Sequence, residues 1–229
     1  MSAPAARRRV LVCDDEPQIL RALRVILREA GFEPVPAETA EQALDLVAVR
    51  PPDAAILDLV LPDGDGVEVC RQIRGWSQMP IIVLSAIGEE DAKVRALEAG
   101  ADDYVTKPFG PRELVARLGA ALRRVGDAPG EPALELDGLH VDLNARVVRR
   151  DDEEVHLTPI EFDLLRTLVR HRGRLMTHRA LLVEVWGPQY GDDTQVLRAH
   201  IANLRRKIEP PGERRYIRTD AGIGYRFQG

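Results

Sequence analysis

Aromatic residues make up only 4% of this 229-residue chain, cysteine occurs twice and lysine three times against 29 arginines. Two cysteines, Cys13 and Cys70, cannot build a disulfide framework and read as buried thiols of a reducing cytosol. No apolar run approaches the roughly 20 residues of a membrane-spanning helix. Arg7, Arg8 and Arg9 imitate the basic start of a secretion signal. Only Val10 to Cys13 follows before Asp14, so the apolar stretch of such a signal is missing and a cytoplasmic location is expected. The absence of a glycine period excludes collagen, and neither an internal repeat nor a low-complexity tract is visible. His140, His156, His171, His178 and His200 lack a metal-ligand spacing, and only His200 is expected near a functional surface. Met79 and Met176 read as core or loop filler.

What is present is 45% hydrophobic and 30% charged, which excludes disorder and suffices for two modest cores, where the length alone predicts one to two domains. The net charge of -5 hides an uneven distribution. Residues 1–124 carry 16 basic and 20 acidic side chains, whereas 159–229 carry 13 basic against 8 acidic. A polyanion partner is therefore expected only at the C-terminal end.

In the first half, Val10 to Cys13, Ala54 to Leu57 and Ile81 to Leu84 are continuous apolar runs, the pattern of strands buried on both faces of a parallel sheet. Between them Ile19, Leu23, Ile26, Leu27 and Ala30 repeat at helical spacing, as do Ala40, Ala43, Leu44 and Val47. Val94, Leu97 and Ala101 predict a helix around Gly100, and Leu114, Leu118 and Leu122 the last one. Repeated β-α units of this kind predict a five-stranded, doubly wound parallel sheet over residues 7–124. Residues 125–132 (VGDAPGEP) read as a linker. From 133 to 229 the period changes. Short alternating pieces between Leu134 and Leu157, ending in VHL, predict a small antiparallel sheet. Thr158, Pro159 and Glu161 form a capping box ahead of a helix with Leu164, Leu165, Leu168 and Val169 inward. Further helices are predicted over about 178–186 and 193–208, with a terminal hairpin from Tyr216 to Phe227.

In a doubly wound sheet, ligands bind at the carboxyl ends of the strands. Asp14 and Asp15, Asp58 and Ser85 stand at such ends, and Lys107 follows the strand Asp103 to Thr106. A single aspartate there is more often a helix cap, but five groups at successive strand ends outweigh that reading. Clustered carboxylates repel unless a cation sits among them, and oxygen-only ligands point to Mg²⁺ rather than zinc. The chemistry assembled is phosphoryl transfer to a carboxylate. Asp58 would attack phosphorus, Lys107 would add positive charge, and Ser85 would donate a hydrogen bond to the phosphoryl group.

Asp14-Asp15-Glu16, Asp58 within DLVLPDGDG, Ser85-Ala86 and Lys107-Pro108-Phe109 resemble the receiver domain of two-component response regulators. The resemblance implies a sensor histidine kinase as donor to Asp58. It also implies Mg²⁺ held by Asp15, Asp58 and the Val60 carbonyl, with Asp14 acting through water, and a cis Lys107–Pro108 bond. It further implies a switch through Ser85 and Tyr104 that alters the face of the fourth helix, fifth strand and fifth helix. On that face Val94, Leu97 and Ala116 read as an apolar patch. Lys93 with Glu113, Asp103 with Arg117 and Asp102 with Arg124 are candidate pairs across a two-fold dimer.

The segment Asp193 to Ile208 is amphipathic, with Val196, Leu197, Ile201, Leu204 and Ile208 on the buried stripe. Its other face shows Gln195, Arg198, His200, Ala202, Asn203, Arg205, Arg206 and Lys207, residue types that bond base edges and phosphates. LTPIEFDLL, Val185-Trp186-Gly187, RAHIANLRRKI and GIGYRF resemble the winged helix-turn-helix (α+β) effector domain of the OmpR/PhoB family. WGPQYGDDTQVLRAHIANLRRKIEP is most similar to the potassium-responsive Kdp regulators. The resemblance implies promoter DNA as partner, contacted by Thr194, Gln195, Arg198, Ala199, Ala202, Asn203, Arg205 and Arg206 of the recognition helix. Arg218 and Thr219 of the wing join them, and the Gly187 to Asp192 loop would touch RNA polymerase. Many relatives carry arginine where Ala221 stands, so a minor-groove arginine contact is not expected. Two other readings use the same residues: a DNA-binding protein that acts without phosphorylation, and a Mg²⁺-dependent phosphotransferase or phosphatase. No second acid/base group beside Asp58 supports the latter.

Overall fold

In a computed structural model the chain forms two compact units, Met1–Leu122 and Arg123–Gly229. The structure describes residues 7–86, 90–123, 133–190, 193–213 and 215–228, so the expected linker at 125–132 lies outside the described residues.

The first unit runs β1 (Arg9–Cys13), α1 (Pro17–Glu29), β2 (Glu33–Ala37), α2 (Ala40–Val49), β3 (Ala54–Asp58), α3 (Gly66–Arg74), β4 (Ile81–Ala86), α4 (Glu90–Glu98), β5 (Asp103–Lys107) and α5 (Pro111–Arg123). All five strands pair in parallel in the order β2-β1-β3-β4-β5. Between β3 and α3, Val60–Leu61 and Gly64–Asp65 form a two-rung antiparallel ribbon. Val10, Val12, Ala54, Ile56, Ile82, Leu84 and Val105 pack on Leu20, Leu23 and Leu27 of α1 and on Leu114, Leu118 and Leu122 of α5. The alternate residues Leu11, Cys13, Ala55, Leu57, Ile81 and Val83 are equally buried. Helices covering both faces are why these strands read as unbroken apolar runs. β2 carries Pro34 and Pro36, which a sheet tolerates at its edge, where no second neighbour needs their missing N–H groups.

The expected fourth helix is shorter than its spacing suggested. It stops at Glu98, Gly100 takes a positive φ of 106°, and Ala101 is buried in the turn before β5.

The second unit opens with β6 (Leu134–Leu136), β7 (Leu139–Asp142), β8 (Val147–Arg150) and β9 (Glu153–Glu154), an antiparallel sheet in the order β9-β8-β7-β6. The predicted strand piece VHL is not one: after the Val155 amide donates to Val148 the chain leaves the sheet. Then come α6 (Pro159–Arg170), β10 (Leu175–Thr177), α7 (His178–Val185), a 3₁₀ turn (Pro188–Tyr190), α8 (Thr194–Ile208), β11 (Ile217–Asp220) and β12 (Gly224–Phe227). β10, β12 and β11 form a three-stranded antiparallel sheet in that order. The capping box forms as expected: Thr158 N–H donates to Glu161 and the Glu161 amide to Thr158 Oγ1. Leu164, Leu165 and Leu168 are buried, while Val169 is only half-buried. Gly224 lets β12 approach β10, since a Cβ there would stand 1.9 Å from the Met176 carbonyl oxygen. Among the described residues no helix is long and apolar enough to cross a membrane.

Candidate functional site

The carboxyl ends of β1, β3, β4 and β5 converge. Asp14 follows β1 and is fully buried, Asp15 is exposed, and Asp58 closes β3 almost buried. Lys107 at the end of β5 places Nζ 2.8 Å from Asp14 Oδ2 and 2.8 Å from Asp58 Oδ2, with Glu16 Oε1 at 3.6 Å. The Glu16 amide donates to Asp14 Oδ1 and the Leu59 amide to Asp58 Oδ1. One carboxylate oxygen from each of Asp14, Asp15 and Asp58 lies within 4.8 Å of the others. Hard oxygen donors this close suit a small divalent cation, so these residues fit Mg²⁺.

The electrostatics follow from burial. Burial pushes the Asp14 carboxyl up, and the Lys107 ammonium and the Glu16 amide reverse only part of it. For Lys107 burial acts downward, but its hydrogen bonds to Asp14 and Asp58 outweigh it and the net shift is upward. Cys13, one residue before the pocket, is pushed up to about 12 by burial and then by the charge of Asp14, which leaves it an inert thiol.

Ser85 Oγ, 1% exposed, has no hydrogen-bond partner among the described residues. Tyr104 is half-buried in β5, and Lys93 Nζ of α4 lies 5.0 Å from its ring centroid. The Lys107–Pro108 bond is cis, as the resemblance implied. Sequence reasoning missed Gly66. A Cβ at this position would stand 1.9 Å from the Asp58 carbonyl oxygen, so the start of α3 closes over the backbone of Asp58 only because the residue is glycine. The Asp-Gly-Asp-Gly run after Asp58 was its signal.

The expected dimer face is corrected at two positions, Asp102 and Leu97. Asp102 is 1% exposed; its carboxylate accepts from Arg74 Nη2 at 2.5 Å and from the Ile81 amide, so it is an internal brace. Leu97 is buried in the core of the unit and not on its surface. Lys93 and Arg117 have partners within the chain: Lys93 pairs with Glu90 at 2.8 Å, and Arg117 with Asp103 at 3.2 Å and Glu113 at 3.0 Å. Val94 is half-buried and Ala116 exposed, as a patch requires. Arg124 lies outside the described residues.

In the second unit α8 buries Val196, Leu197, Ile201, Leu204 and Ile208 as expected. Arg198, Ala202 and Arg206 are exposed, and Thr194, Gln195 and Ala199 half-exposed. The Asp193 carboxylate caps the helix by accepting from the Val196 amide. Asn203 and His200 do not lie on the exposed face. Asn203 is 2% exposed and its Oδ1 accepts from Arg206, while His200 is 1% exposed with its ring 5.5 Å from that of Trp186. Helical spacing alone could not separate these boundary positions from the open face. Lys207 also turns inward, to Glu161 and the His156 carbonyl. On the wing, Arg218 and Thr219 are exposed.

A family model described as response regulator receiver domain matches residues 10–119, and one described as transcriptional regulatory protein, C terminal, matches residues 152–227. The chain is 50% identical over 222 residues to the transcriptional regulatory protein KdpE of Mycobacterium tuberculosis, covering 96% of this chain and 98% of that one. It is 50% identical over 221 residues to the KDP operon transcriptional regulatory protein KdpE of Escherichia coli K12, covering 95% and 98%. Among solved structures it is similar to DrrB, an OmpR/PhoB homolog of Thermotoga maritima, at 30% identity and a TM-score of 0.52, covering 98% of this chain and all of that one.

Proposed function

The chain belongs to the DNA-binding two-component response regulators of the KdpE/OmpR type, and from that premise we propose that Asp58 accepts a phosphoryl group that turns on DNA binding. The observation that carries this reading is Lys107 Nζ seated 2.8 Å from both Asp14 and Asp58, with a buried Ser85 hydroxyl that has no partner among the described residues at the next strand end.

A carboxylate oxygen of Asp58 attacks the phosphorus of a phosphohistidine on a sensor kinase. The P–N bond breaks, its electron pair stays on the imidazole nitrogen, and an acyl phosphate forms on Asp58. Asp15, Asp58 and the Val60 carbonyl would hold Mg²⁺, with Asp14 acting through water, and the ion would supply positive charge to the phosphoryl group. Lys107 moves from its bridge between two carboxylates to the new phosphoryl oxygen, and Ser85 Oγ donates to another. Tyr104 then turns inward.

The face of α4, β5 and α5 then pairs with a second copy around Val94 and Ala116. Lys93, Asp103, Glu113 and Arg117 exchange partners within the chain for partners across the two-fold axis. Such a dimer sets two winged helices on tandem half-sites about one helical turn apart, and the gain in affinity comes from linking two modest sites. Thr194, Gln195, Arg198, Ala199, Ala202 and Arg206 of α8 face the major groove, with Arg218 and Thr219 on the backbone. The loop from Gly187, whose last two residues lie outside the described ones, meets RNA polymerase. Similarity to the regulator of the KDP operon supports potassium-transport genes as targets in the cytoplasm. The protein acts as a regulator and not as a turnover enzyme.

The test is intact mass after incubation with acetyl phosphate and Mg²⁺, wild type beside Asp58→Asn. One added phosphoryl group in the wild type alone is expected. An equal gain in the variant would place the acceptor elsewhere, and none in either would favour a regulator that acts without phosphorylation.

A further inference from the structure

The run Arg205-Arg206-Lys207 is the most basic stretch of α8, yet the Arg205 side chain turns toward β11. It is 11% exposed. Nε and Nη2 donate to the Ile217 carbonyl at 3.2 and 2.6 Å, and Nη2 also donates to Thr219 Oγ1 at 2.8 Å. The guanidinium carbon lies 5.6 Å from the ring centroid of Tyr225, and Nε is 3.9 Å from Glu209 Oε2. Glu209, one turn further along, is equally committed: its Oε1 accepts from the amides of Tyr216 at 3.3 Å and Ile217 at 2.8 Å. Together the two side chains tie the last turn of α8 to β11 and cover Tyr225 on β12.

We infer that Arg205 and Glu209 are positioning residues that lock the recognition helix to the wing, so that both elements meet the duplex at once, and that Arg205 is not a phosphate anchor. The inference rests on the reading that α8 and the wing engage DNA. A phosphate anchor leaves its donors in solvent, whereas these reach a main-chain carbonyl and a hydroxyl on another element. Several acceptors in fixed directions also call for the planar fork of arginine, which the single ammonium of lysine cannot reproduce. Helix and wing held rigidly bind as one unit; uncoupled, each keeps its charge attraction but loses its register with the other.

The test uses the full chain and two duplexes of equal length: one selected from a random library by the wild-type protein, and one of random sequence. Affinities are measured by anisotropy from about 50 to 200 mM salt, the range over which phosphate contacts show in the slope. Arg205→Ala, Arg205→Lys and Glu209→Gln are each expected to weaken the selected duplex about tenfold, the scale of lost hydrogen bonds to a charged group. The random duplex and the salt slope stay near wild type. A phosphate anchor gives the opposite pattern. Arg205→Lys would be nearly silent, Arg205→Ala would lower the slope by about one on both duplexes, and Glu209→Gln, by removing a negative charge, would tighten binding. Any of these overturns the inference, as does loss of both duplexes alike. Arg198→Ala separates the premise from the inference. If it weakens both duplexes while Arg205 behaves as an anchor, only the lock fails; if it changes neither, α8 is not the DNA face and both fall.

Discussion

Replacing Lys107 by methionine removes the one ammonium that separates two carboxylates while keeping most of the side-chain volume. The structure sets the scale. Two contacts of 2.8 Å, at an effective dielectric constant of about 20, amount to roughly 6 kcal/mol each before desolvation. Desolvation of the ammonium returns much of this, and breaking a buried charge pair by removing one partner costs about 3–5 kcal/mol in practice. Asp14 is fully buried, so bulk solvent screens its charge poorly once the ammonium is gone. The perturbation is confined to the first unit, so it is read by hydrogen exchange of β1 and β3 amides across a urea series, which avoids assigning a single transition to two units. With a urea slope near 2 kcal/mol per molar, the midpoint for these amides falls by about 2 M in EDTA. Excess Mg²⁺ raises the variant more than the wild type, because a ligand of the native state stabilises it by mass action and here also replaces the missing charge. A variant that opens at the wild-type urea concentration in EDTA would refute the counter-ion role of Lys107 and, with it, the electrostatic reading of the pocket.

Gly66→Ala should slow acetyl phosphate transfer to Asp58 by about 10²-fold, since relieving a 1.9 Å contact displaces the Asp58 backbone by about an ångström; an unchanged rate of mass gain would mean that α3 moves instead. His178 has its pKa lowered, by burial first and then by Arg198. The folded state therefore resists its protonation, and stability of the second unit is full above the unfolded value of about 6.5 and falls as pH drops through the folded value. His178→Gln should flatten that acid limb of the melting temperature, and an identical limb in both proteins would exclude His178 as its source. Cys70, pushed up to about 12 chiefly by burial, should stay unalkylated in the native protein at pH 8 and react at once in urea; fast native labelling would show that the α3 side of the core opens readily.

The fold was legible where one physical cause acted alone. Val10 to Cys13, Ala54 to Leu57 and Ile81 to Leu84 read as buried strands because helices cover both faces of the sheet, and the capping box at Thr158 named a helix start to the residue. β2 was not legible, since Glu-Pro-Val-Pro-Ala carries no strand signature and is held by its edge pairing with β1. α4 read too long because Ala101 continues the helical spacing of Leu97 although it is buried by the turn after Gly100. The pocket was legible because its chemistry is written in residue types at strand ends. Gly66 was not, because the constraint on it comes from a carbonyl eight residues earlier that only the closed fold brings near.

The charged residues show where a sequence stops informing. Asp102, Arg205 and Lys207 have the composition of a surface, and each was assigned to one. Arg74, Ile217 and Glu161 hold them within the fold instead, because a charged side chain at the edge of an element can turn either way and the choice is made by partners on other elements. In α8 this divides one basic face into two jobs. Arg198 and Arg206 stay in solvent, where a polyanion can reach them, while Arg205 and Glu209 decide where the wing stands. Charge counted along the sequence therefore locates the DNA-binding end of the chain, yet it overstates the number of phosphates that end can hold, and a salt slope is the quantity in which the difference is read.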